Sequence, residues 1–193
     1  MNEMLTSHQS YMRAALKAAS KSNCVRRNVG AVIVRDNEIV STGWNGVSVA
    51  YANCREARCP RCIEGGVTGT GYESCICIHA EQRAIGDAAA RGISTAGSVL
   101  YVNLRPCLQC LGMMKSAGIM QVFFDEAWTY EATLEDIYQE QARQFGFFGQ
   151  IPVVSTSDVG ELPDPTNFTR PEGPAPQKAG GEQELTETFR SNS

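Results

Sequence analysis

The chain has 193 residues, 42% of them hydrophobic and 20% charged, and a net charge of −4. By size and composition this is one globular domain with room for a core and a tail. The acidic balance and the lack of a basic stripe argue against a polynucleotide partner, which would want a lysine- and arginine-rich surface, but leave a single nucleotide open.

No run approaches the ~20 apolar residues of a membrane span, and the first eight residues carry no charged-then-apolar leader pattern. The expected setting is therefore cytoplasmic, with no membrane partner. Eight cysteines in that setting read as metal ligands rather than disulfides.

In chain order, residues 7–22 are alanine-rich, and Tyr11, Ala14, Ala15, Leu16, Ala18 and Ala19 fit one helical face. His8 falls in a segment expected to fray and is given no role. Val29 to Val34 is a near-continuous β-branched run suited to a buried strand. Arg35-Asp36-Asn37-Glu38 is a turn, and Ile39 to Asn45 returns as the second strand of a hairpin. Residues 46–78 show no periodicity and hold five cysteines, the mark of a functional or stapled segment. A helix is expected from His79 to Arg91, stopped by Gly92, then a strand over Ser98–Leu104 and a helix opened by Pro106 and closed by Gly118. Gln121–Phe124 reads as a strand, Thr133–Phe145 as a helix and Ile151–Ser155 as a last, edge strand because of Pro152. This order implies a three-layer α/β/α domain with a mixed five-stranded sheet over residues 1–157. From 158 to 193 prolines fall among Gly, Thr, Gln and Glu, the composition of a disordered tail.

Chemistry concentrates in a split signature: His79-Ala80-Glu81, then Pro106-Cys107-Leu108-Gln109-Cys110. One imidazole and two thiolates offer three zinc ligands and leave a fourth tetrahedral position open, which separates a catalytic zinc from a structural one. Both halves sit at strand-to-helix junctions, where the partial positive charge of a helix N-terminus favours thiolate over thiol. Such a zinc acidifies water to a pKa of about 7, and Glu81 is placed to carry protons to and from the reacting group. The competing reading is a closed structural site completed by one of the spare cysteines. The H-x-E…P-C-x-x-C pattern is much more specific than a lone CxxC and is that of zinc deaminases acting on nucleobases.

At these residues the chain resembles the cytidine deaminase superfamily, and within it the deoxycytidylate (dCMP) deaminases. The likeness runs from about Ser20 to Ser155. It rests on Ser22 to Val34, Gly43-Trp44-Asn45-Gly46, Cys75-Ile76-Cys77-Ile78-His79-Ala80-Glu81, and Pro106 to Cys110 with Ala117-Gly118-Ile119. The resemblance implies a cytidine-deaminase-like α/β/α fold and hydrolysis of dCMP to dUMP with release of ammonia. It also implies a homo-oligomer, commonly a hexamer, with dCTP and dTTP as effectors. By position, Asn45 would meet the sugar hydroxyl or phosphate end, and Arg26 or Arg27 the phosphate, for which a charged fork is suited. Three positions depart from the family pattern: Arg83 where Asn is usual, Asn103 where Thr is usual, and Asn45-Gly46-Val47-Ser48 without its proline. Arg83 is either a further phosphate contact or a solvent-facing residue. These departures keep a modified dCMP, CMP or a free nucleoside open as substrate, and a zinc-stabilised binding protein without turnover as the reading from another class.

The remaining cysteines are Cys24, Cys54, Cys59, Cys62, Cys75 and Cys77, with Cys59-Pro60-Arg61-Cys62 a CxxC knuckle. Some dCMP deaminases carry a second, structural zinc, and the resemblance matches Cys24, Cys54 and Cys77 to its ligand positions. Six candidates exceed the four that a closed site needs, so the set stays open, with free buried thiols as the alternative. A second metal would keep a long, apolar-poor insertion ordered.

Overall fold

β-branched residues and alternation decide the centre of the molecule, which the computed structural model describes over residues 2–48, 50–63, 65 and 70–153. Strand β1 (Gly30–Arg35) is buried on both faces through Val34 and pairs antiparallel with β2 (Glu38–Trp44). Asp36 and Asn37 join them with φ of 54° and 64°, the left-handed pair that a tight two-residue hairpin turn requires. Strand β3 (Val99–Leu104) lies antiparallel on the other side of β1, and β4 (Gln121–Glu126) and β5 (Phe147–Gln150) follow in parallel. The sheet is therefore mixed and five-stranded, in the order β2-β1-β3-β4-β5.

Alternation along the strands feeds two cores. Val32, Val34, Tyr101 and Phe123 face helix α1 (Asn2–Ala19) through Met12 and Ala15. Ala31, Ile33, Leu100, Val102, Val122 and Phe124 face the opposite layer, made by α3 (Ala80–Ala90), α4 (Leu108–Ser116) and α5 (Ala132–Ala142). A short helix, α2 (Pro60–Ile63), and a 3-10 turn at Tyr72–Ser74 lie in the cysteine-bearing segment before α3. The expected three-layer α/β/α architecture is observed.

Gly43 lets α3 lie directly on β2. A Cβ there would stand 2.1 Å from the Ala80 carbonyl oxygen and 2.5 Å from the Ala84 nitrogen. Gly46 and Ile78 exchange backbone hydrogen bonds at 3.0 and 2.9 Å, closing the irregular segment at its neck and delivering the chain straight into His79.

Three expectations are corrected. The last strand is Phe147–Gln150, not Ile151–Ser155. Phe147 and Phe148 take the places opposite Gln121 and Val122, and only Ile151 extends the ladder, donating its N–H to the Phe124 carbonyl at 2.7 Å. Val154 and Ser155, like the tail 158–193, lie outside the described residues. The first helix begins at Asn2, so His8 is not frayed: its Nδ1 lies 2.7 Å from the Tyr101 hydroxyl and its ring 4.5 Å from that of Phe123. Helix α5 stops at Ala142, short of Phe145, whose buried ring packs into the core from the turn that follows.

Candidate metal centre and substrate cavity

His79 and Cys107 each sit at the residue preceding a helix, α3 and α4, in extended backbone. The helices lie side by side on one face of the sheet, and their N-termini meet. His79 is held at its place by its own N–H, which donates to Gln82 Oε1 at 3.0 Å. The α4 terminus is held by Tyr130, whose hydroxyl accepts the Leu108 N–H at 2.9 Å, and by Tyr138, which donates to the Pro106 carbonyl at 2.8 Å.

This convergence brings His79 Nδ1 to 3.3 Å from Cys107 Sγ and 3.4 Å from Cys110 Sγ. Ligands at standard Zn–N and Zn–S lengths on a tetrahedron would stand about 3.6 Å apart, so the three donors fit one zinc-sized ion. Cys107 and Cys110 are buried and unpaired by disulfide. The contact with Cys110, and with His79 beyond it, holds the Cys107 thiol down at about 4. Burial alone would lower the His79 imidazole, but the sulfurs of Cys107 and Cys75 outweigh it and push it up to about 10. Those sulfurs thus favour positive charge at this spot, as a cation site requires.

Glu81, in the first turn of α3, is 4% exposed, and its carboxyl contacts the Cys110 thiol. Burial is the main cause that raises its carboxyl to about 7, against the opposing pull of His79. His79, Glu81 and Cys107 line one cavity together with Asn45, Tyr72 and four arginines: Arg26, Arg27, Arg61 and Arg105.

The arginines differ in what holds them. Arg105 is 5% exposed and grips Glu135 with both nitrogens, at 2.6 and 3.1 Å, while stacking 3.8 Å from the Tyr138 ring. Its contact pulls Glu135 down to about 2. Arg27 pairs with Glu126 at 3.1 Å on the surface, each side chain about half exposed. Arg61, which also lines the cavity, lies 4.1 Å over the Tyr72 ring and donates Nε to the Thr70 carbonyl at 2.8 Å. Arg26 donates to the Arg61 carbonyl at 3.4 Å.

Asn45 lines the cavity, yet most of its amide is committed to the chain. Its Oδ1 accepts from Ser22 Oγ and the Val29 N–H, at 2.6 and 2.9 Å, and its Nδ2 donates to the Arg27 carbonyl at 2.8 Å. One N–H remains for a ligand. Arg83 is not brought to the cavity. Its Nε donates to the Trp44 carbonyl at 2.7 Å and its guanidinium lies 5.1 Å from the Trp44 ring, so it pins the end of β2. Asn103 is likewise structural, joining Gly30 N–H at 2.8 Å to the Asn28 carbonyl at 3.0 Å. Arg61, Tyr72 and Arg105 are cavity residues that sequence reasoning missed. A signal existed for Arg105, beside Pro106-Cys107, whereas Arg61 sits in an aperiodic segment.

The six other cysteines gather in one cluster whose remaining buried apolar side chain is Val47. Their sulfurs form two compact groups, Cys24/Cys54/Cys62 and Cys59/Cys75/Cys77, each within 4.8 Å. Cys75 also contacts His79, so the cluster abuts the first donor set.

A three-layer sheet domain with a His-Cys-Cys donor set and a buried carboxylate at paired helix N-termini defines a zinc-site class. The comparisons agree: the model of the cytidine and deoxycytidylate deaminase zinc-binding region matches residues 5–126, and this chain belongs to that family. It is 34% identical over 138 residues to a deoxycytidylate deaminase of Schizosaccharomyces pombe, covering 70% of this chain and 42% of that protein. It is 34% identical over 119 residues to the deoxycytidylate deaminase of Mycobacterium phage D29, covering 59% of this chain and 90% of that one. The chain thus spans less than half the length of its yeast relatives. Among solved structures it resembles the dCMP deaminase of cyanophage S-TIM5 in complex with dCMP and dUMP, with a TM-score of 0.53 and 26% identity over 73% of this chain and 93% of that one.

Proposed function

We propose that this chain is a zinc-dependent nucleotide deaminase that converts dCMP to dUMP and releases ammonia, with the deaminase domain over residues 1–157. The observation that carries this is the shared cavity: the metal donors His79 and Cys107 and the Glu81 carboxyl line it together with Arg26, Arg27, Arg61 and Arg105. His79, Cys107 and Cys110 would hold the ion, which when bound supplies an acidified water at neutral pH. Glu81 takes a proton from the water, delivers it to the ring nitrogen and then serves the departing amine. The new bond is C4–O, the broken bond is C4–NH2, and the products are the uracil ring and ammonia. Arg26 and Arg61 face the phosphate end, with the remaining Asn45 N–H for the sugar or phosphate. The arginines favour a nucleotide over a free nucleoside, and the buried carboxylate beside the donors has no use in a purely structural site.

The cysteine cluster is proposed as a second, structural metal centre for the segment before α3, where sulfur replaces an apolar core. Eight free thiols suit a reducing, cytoplasmic setting. A homo-oligomer responsive to dCTP and dTTP is proposed from the family resemblance. The test of function is ammonia release over dCMP, CMP, deoxycytidine, cytidine and 5-substituted dCMP. Turnover is expected with dCMP foremost; release from deoxycytidine at equal efficiency would defeat the phosphate assignment.

A further inference from the structure

The cysteine cluster has a stoichiometry that a single ion does not fit. One tetrahedral zinc takes four thiolates and would strand two of the six. The six sulfurs instead make up two groups of three, each compact enough for its own ion. The Cys59-x-x-Cys62 knuckle, which ordinarily grips one metal, is split: Cys62 belongs with Cys24 and Cys54, and Cys59 with Cys75 and Cys77. The groups touch at two places, Cys59 with Cys62 and Cys24 with Cys77. Within the first group Cys54 and Cys62 stand 3.1 Å apart.

Resting on the reading of this cluster as a metal centre, we propose that it holds two zinc ions on six thiolates, two of which bridge. Two tetrahedral ions need eight ligand positions, and six sulfurs fill eight only if two are shared. The shared pair belongs at the two contacts between groups. Two ions on six thiolates carry a net −2, and buried charge is costly unless compensated. Backbone donors meet part of the remainder: the Val25 N–H points at Cys54 Sγ at 3.4 Å, the backbone of Arg26 and Arg27 hydrogen-bonds Cys24, and that of Cys77 hydrogen-bonds Cys75. Such N–H···S bonds are the outer-shell partners that metal thiolates need. The small spread of each group suits single ions sharing sulfur rather than a larger inorganic cluster. Through Cys75 and His79 the paired ions would stand against the catalytic donors.

The test is metal content of the full chain, purified under reducing conditions with zinc supplied, followed by exchange to cadmium and 113Cd NMR. About three zinc ions per chain are expected, with two cadmium signals in the all-sulfur region split by mutual coupling through shared thiolate. Two zinc ions per chain would overturn the paired site while leaving a structural metal centre in place. One per chain would overturn both. Three ions without cadmium–cadmium coupling would overturn the bridging. These readings are independent of deamination, so failure of the activity assignment does not decide them.

Discussion

Arg105 and Glu135 form a two-toothed ion pair beneath the metal-donor cluster, with Arg105 almost wholly buried and stacked on Tyr138. Glu135 also accepts the Tyr130 N–H at 3.0 Å, and Tyr130 in turn holds the N-terminus of α4. The pair therefore supports Cys107 and Cys110 from below. Replacing Glu135 by Gln leaves a buried guanidinium uncompensated and should cost about 3 kcal/mol in denaturant unfolding. The acid dependence has a definite sign. Glu135 is depressed to about 2 from an ordinary 4.5, so its contribution is complete above pH 4.5 and is lost as pH falls through about 2. The stability gap between wild type and E135Q should close over that window; a gap independent of pH there would refute the assignment.

Gly43 is the second support, on the α3 side. G43A drives a methyl into backbone, the Ala80 carbonyl and the Ala84 nitrogen, neither of which can rotate aside. Destabilisation of at least about 2 kcal/mol is expected, with loss of zinc affinity because His79 moves with α3. Unchanged melting together with unchanged zinc affinity would show that the helix does not rest there.

Much of this arrangement was legible in the sequence, because periodicity and short motifs act locally. The β1–β2 hairpin, the strand before Pro106 and the helices after His79 and Cys107 all follow from adjacent residues. The donor set was legible because both halves of its motif precede helices of one layer. What escaped was set by distant contacts. Phe147 and Phe148 displace the Pro152 segment from the sheet because they match the register of β4, and no local feature announces that. Arg83 fastens to the carbonyl and ring of Trp44, a partner distant in sequence that no local pattern announces. Arg61 reaches the cavity through a segment with no periodicity, anchored at Thr70 and Tyr72.

Arg61 offers a test of the phosphate end. R61A should raise KM for dCMP roughly 10-fold or more, the worth of one charge-assisted hydrogen bond, with a smaller effect on deoxycytidine. R61K should recover part of the loss, since a point charge remains without the fork. Equal changes for both substrates would remove Arg61 from phosphate binding.

Asn45 has a different signature, because its amide holds the 22–29 loop by three hydrogen bonds. N45A leaves the Val29 N–H without this acceptor and should cost about 2 kcal/mol of stability as well as raising KM. A change in KM with no change in melting would show that the amide serves the ligand alone.

Glu81 is proposed to move the protons of a hydrolysis at a zinc held by His79, Cys107 and Cys110. The direct measurement is ammonia release from dCMP by wild type and by Glu81→Ala, each with its zinc content determined. The wild type should turn over and E81A should keep its zinc yet lose activity by roughly 10³-fold or more. Undiminished ammonia release from zinc-loaded E81A would contradict the claim.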